Sequence, residues 1–151
     1  MDKTSVDDIL DFAILGEQSA ARFYTDLAAK MDNQAMREVF EEFARQEEAH
    51  KAKLEKVRRE GMTVFGPSKD VPDLKIADYL VDVEPKPDMT YLDAIIIAMK
   101  REKAAFRLYT DLAARVPNED CRNLFQSLAQ EEANHKLRFE LEYDEHVMQE
   151  N

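Results

Sequence analysis

Residues 13–55 read AILGEQSAARFYTDLAAKMDNQAMREVFEEFARQEEAHKAKLE, and residues 98–140 read AMKREKAAFRLYTDLAARVPNEDCRNLFQSLAQEEANHKLRFE. Laid over each other without a gap, the two stretches are identical at 18 of 43 positions. The run Tyr24-Thr25-Asp26-Leu27-Ala28-Ala29 returns as Tyr109-Thr110-Asp111-Leu112-Ala113-Ala114. Glu17, Glu47 and His50 return 85 residues later as Glu102, Glu132 and His135. Agreement of this extent at one fixed offset is an internal duplication.

Each copy reads as a pair of helices. Around Glu17 the neighbours at helical spacing are Ala13, Ala20 and Tyr24; around Glu102 they are Ile95, Ala98, Ala105 and Tyr109. The second helix of the first copy carries Phe40, Phe43, Glu47, His50, Leu54 and Val57 along one stripe. Its counterpart carries Phe125, Leu128, Glu132, His135 and Phe139. In both copies the ionisable residues therefore sit on the apolar, core-facing stripe, while Lys, Arg, Asp and Glu fill the other faces.

Buried carboxylates are costly unless paired, and no Lys or Arg recurs on these stripes. Two divalent metal ions would bring four positive charges to four glutamates and leave both histidines neutral. Glu-x-x-His puts its two side chains roughly 300° apart around the helix, hence adjacent on one face. One such pair is a weak signal. Two pairs, each preceded by a core-facing Glu at the same offset, match the ligand set of di-iron and di-manganese carboxylate bundles. Carboxylate oxygens with one imidazole per metal suit Fe(II) or Mn(II) rather than soft ions. A metal-free or zinc-holding bundle is the bland alternative. By the pattern, Glu47 and Glu132 bridge, Glu17 with His50 completes one ion's set, and Glu102 with His135 the other's. Tyr24 and Tyr109, two turns beyond the lone glutamates, are read either as hydrogen-bond donors to a ligating carboxylate or as core aromatics with solvated hydroxyls.

In chain order, Thr4 or Ser5 caps a first helix that runs to about Ala29, with Asp7 and Asp8 in its first turn. Asp32 or Asn33 caps the second, from about Gln34 to Glu60, and Gly61 is the expected stop. Residues 61–90 hold two of the three glycines and four of the five prolines. Within them residues 74–81 predict one short helix. So long a connection fits a crossover that returns the chain along a bundle. Thr90 with Asp93 caps the third helix, which runs to about Arg115. Pro117 turns the chain into a fourth that begins at Asn118 or Glu119 and reaches about Met148. The expected organisation is all-α: a single domain over residues 1–151, with helical hairpins at 5–60 and 90–148 and a crossover at 61–89.

Composition narrows the function. A net charge of −11 argues against a nucleic-acid or anionic-membrane partner. The longest uncharged apolar run, residues 94–99, is too short to span a bilayer. The single Cys121 rules out an intrachain disulfide, fits a reducing compartment and reads as a small helix residue. The N-terminus shows no secretory signal pattern. His146 reads as a surface residue, and Arg22 and Arg107 as solvated or paired with local acids.

From about Asp8 to Tyr143 the chain resembles the rubrerythrin branch of the ferritin-like superfamily. The resemblance is carried by Glu17, Glu47-x-x-His50, Glu102, Glu132-x-x-His135 and the Phe-Tyr and Leu-Tyr pairs at residues 23–24 and 108–109. It implies a ferritin-like four-helix bundle with a long crossover between helices 2 and 3. It further implies two iron ions, with manganese or zinc as alternatives, in a cytoplasmic homodimer. The activity implied is reduction of hydrogen peroxide or O₂ in oxidative-stress defence. With one cysteine the sequence holds no rubredoxin-like Cys₄ site, so the reductant would be an external, rubredoxin-like electron-donor protein. Rubrerythrins usually carry an extra glutamate one turn after the lone Glu of the third helix, where this chain has Ala105. Two other readings stay open on the residues: a ferroxidase in iron handling, and a metal-binding or sensory bundle whose di-metal site is structural.

Overall fold

The computed structural model describes residues 3–60, 70–81, 86 and 88–150. Four long helices dominate it: α1 at Val6–Ala29, α2 at Gln34–Arg59, α3 at Tyr91–Arg115 and α4 at Glu119–Glu150. The caps are those the sequence predicts. Ser5 Oγ accepts from the Asp8 amide at 3.0 Å, and Asn33 Oδ1 from the Met36 amide at 3.1 Å. Thr90 and Asp93 cap α3 reciprocally: the Asp93 amide donates to Thr90 Oγ1 at 3.1 Å and the Thr90 amide to Asp93 Oδ2 at 3.3 Å. Each satisfies amides that the first helical turn leaves without an intrahelical acceptor. The stop expected at Gly61 lies outside the described residues; α2 ends with Glu60 as its C-cap.

Two features depart from the sequence reading. Lys3–Ser5 and Asp70–Pro72 form a short antiparallel ladder, β1 and β2, with Lys3 opposite Pro72 and Ser5 opposite Asp70. Three-residue strands carry too few alternations to show in a hydrophobic pattern, and Pro72 is tolerated because it closes the ladder. Asp73 follows with φ 55°, a left-handed turn that a short polar side chain accepts. The helix predicted across residues 74–81 is shorter, a single 3₁₀ turn at Ile76–Tyr79.

The chain divides into two compact units, one built on α1 and α2, the other on α3 and α4. In the first, Arg58 near the end of α2 meets Asp11 at 3.0 Å and Asp7 at 3.4 Å at the start of α1, and Arg37 Nη2 closes the turn onto the Met31 carbonyl at 2.7 Å. Its core holds Ile9, Leu10, Tyr24, Leu27, Phe40 and Leu54. In the second, Tyr79 donates to Asp111 Oδ2 at 2.5 Å, and the Arg107 guanidinium stands 5.8 Å above the Tyr79 ring. Its core holds Ile95, Leu112, Phe125, Leu128 and Phe139.

Candidate metal centre

The glutamates and histidines of the duplicated pattern are buried, each no more than 2% exposed, among residues that are otherwise apolar. Their position follows from spacing. On α1, Ala13, Glu17, Ala20 and Tyr24 share a face, and all four are buried. On α2, Phe40, Ala44, Glu47, His50 and Leu54 do the same. On α3 the buried face carries Ile95, Ala98, Glu102 and Tyr109, with Ala105 half-buried beside them. On α4, Phe125, Leu128, Glu132, His135 and Phe139 are buried.

Within the first unit the structure brings Glu17, Glu47 and His50 together. His50 Nδ1 lies 3.5 Å from Glu17 Oε2 and 3.9 Å from Glu47 Oε1. Within the second it brings together Glu102, Glu132 and His135, with His135 Nδ1 at 3.6 Å from Glu102 Oε1. In each trio one donor atom per residue lies within 4.8 Å of the others. That spread is what three ligands around one ion need, given metal–ligand bonds of about 2 Å.

The chemistry of the donors fits a divalent metal. Each trio offers two hard carboxylates and one imidazole, and among the described residues no lysine or arginine is fully buried to neutralise them. A carboxylate removed from water either gains a cation or takes up a proton, and a divalent ion serves two carboxylates at once. Each of the duplicated halves thus holds a candidate carboxylate–histidine metal-binding trio of its own.

Tyr24 and Tyr109 are each 1% exposed, so neither hydroxyl is solvated as the simpler reading would have it. Tyr24 packs edge-on against Phe43 with centroids 5.9 Å apart, and Tyr109 stacks on Phe125 at 6.4 Å. His146, read as a surface residue, is half-buried and faces the Tyr91 ring at 5.6 Å. Tyr91 in turn donates to Glu142 Oε1 at 3.0 Å; burial foremost, then this carboxylate, push its phenol well above the usual range. Sequence reasoning missed this cluster because its partners lie 51 residues apart. Cys121 is buried, which raises its thiol and removes it as a nucleophile. No described helix is long and apolar enough to cross a membrane.

Known proteins resemble the chain along most of its length. A hypothetical protein from Pyrococcus furiosus is 30% identical, with 93% of this chain and 89% of that one covered at a TM-score of 0.74. The crystal structure of a putative ferritin-like diiron-carboxylate protein from Thermotoga maritima is 24% identical, with 96% and 98% covered at a TM-score of 0.81. The second likeness shows the fold, a ferritin-like four-helix bundle; much of the connection expected as its crossover lies outside the described residues. No curated protein matches the chain. The rubrerythrin family model matches residues 8–143, which takes in both helical pairs and all six buried site residues, and the chain belongs to the rubrerythrin family.

Proposed function

We propose that this chain is a di-iron oxidoreductase that reduces hydrogen peroxide or O₂. The observation that carries the reading is the pair of buried trios, each with two carboxylates and one imidazole. Glu47 and Glu132 would be the carboxylates shared by two metals, with Glu17 and His50 completing one ligand set and Glu102 and His135 the other. Family membership and the charge count support that assignment.

The protein's own contribution is binding, orientation and exclusion of water. Four carboxylates balance two divalent ions, and neutral imidazoles add no charge. Two iron ions held there would supply two electrons, which with two protons from solvent convert one hydrogen peroxide to two waters. Six protein ligands leave coordination positions for a small oxidant, and the apolar stripes around them keep bulk water away. We further place the protein in cytoplasmic oxidative-stress defence as a homodimer, re-reduced by an external electron-donor protein.

The test is a hydrogen peroxide titration of the anaerobic, iron-reconstituted chain. Oxidation complete at about one peroxide per two irons, with the iron retained, is the expected result. Iron that is oxidised and then released to be replaced by fresh Fe(II) would instead make it a ferroxidase.

A further inference from the structure

The duplication supplies its own control: wherever the copies differ around the same ligand, the difference has a local cause. Leu15, Gly16 and Gln18 flank Glu17, whereas Lys100, Arg101 and Lys103 flank Glu102. Ala21, buried on α1, corresponds to Phe106 on α3, an aromatic left 37% exposed. Lys100, Lys103, Phe106 and Arg107 are all exposed and fall on one outward arc of α3. Arg107 is anchored over the Tyr79 ring, and the next residue along, Leu80, is exposed. Phe106 is thus an exposed aromatic among Lys100, Lys103 and Arg107, with Asp111 one turn beyond Arg107 holding the Tyr79 hydroxyl.

We propose that this face of α3 is the docking surface for an acidic one-electron carrier protein that reduces the metal centre. The inference rests on the di-iron reading above. Three observations carry it. Lys100 and Lys103 lie in the middle of α3, where no helix dipole favours a cation, unlike Lys56, Arg58 and Arg59 at the C-terminal end of α2. Phe106 comes four residues after Glu102, one turn along the same side of the helix, so a partner seated there is one turn from a ligand. An exposed aromatic with a charged rim is also the usual composition of a protein interface. The net charge of −11 repels an acidic partner elsewhere, but screening over about 8 Å lets the local cations decide where it lands. Each peroxide takes two electrons and two protons to give two waters. Two carrier molecules are therefore each oxidised by one electron per turnover, and solvent supplies the protons.

The experiment pairs calorimetric binding of an acidic rubredoxin to the iron-loaded chain with stopped-flow reduction by the same rubredoxin. Lys100→Glu/Lys103→Glu should weaken binding and slow reduction about tenfold or more, and flatten the dependence on salt. Phe106→Ala should weaken binding without changing that dependence. Reduction by a neutral small-molecule reductant should not change. Lys53→Glu/Lys56→Glu alters net charge equally on another helix, α2, and should stay within about twofold. Equal losses in both charge-reversed pairs, or none in the α3 pair, would overturn the docking surface while leaving the di-iron reading intact. A chain that binds no iron would overturn both.

Discussion

Glu47 and Glu132 occupy equivalent turns of duplicated helices, each buried beside a histidine one turn away. If they bridge, Glu47→Ala or Glu132→Ala removes a ligand from both ions. Elemental analysis should then show loss of at least one metal per chain, while Lys51→Ala on the same helix keeps both. Retention of two metals by both glutamate variants would refute the bridging roles. Tyr91 offers a second test. Its phenol is pushed up by burial and by Glu142, so the folded state holds the proton more tightly than the unfolded chain. That stability is fully present below the unfolded value of about 10 and is lost as pH rises above it. Tyr91→Phe should lose the hydrogen bond, costing about 1 kcal/mol at neutral pH, and should unfold less steeply with pH above about 10 in denaturant titrations.

The helices owe their ends to local chemistry and their orientation to packing. Ser5, Asn33 and the Thr90–Asp93 pair are recognisable from sequence because a cap is a contact over three residues. Thr90→Ala should cost about 1 kcal/mol by thermal denaturation. Phe40→Ala and Phe125→Ala, which empty equivalent fully buried positions on α2 and α4, should each cost about 3–5 kcal/mol. The connection between the halves was less legible. The β1–β2 ladder joins residues almost seventy apart, and such a pairing leaves no trace in local periodicity. The 3₁₀ turn at Ile76–Tyr79 is held by Tyr79 on Asp111 and Arg107, contacts that only the folded chain supplies. The same holds for the Tyr91–Glu142–His146 cluster. The buried residues of the candidate metal site were legible for the opposite reason: duplication wrote the same polar interruption twice on an apolar stripe.

For the molecule as a whole, burying four carboxylates is a standing cost that a bound metal offsets. The metal-free chain should therefore be markedly less stable than the loaded one. At a free metal concentration one hundred times the dissociation constant, binding adds about 2.7 kcal/mol. For a chain of this size that corresponds to roughly 5–10 °C in Tm, reversed by a chelator. Scanning calorimetry with and without Fe(II) or Mn(II) reads it directly, and an unchanged Tm would mean that the carboxylates are balanced some other way. The most direct test of the central claim is the iron content of anaerobically reconstituted protein, read together with its Mössbauer spectrum after oxidation. The account predicts about two irons per chain, spin-coupled through shared carboxylates. Fewer than about one tightly bound iron per chain, or two irons without coupling, would contradict it.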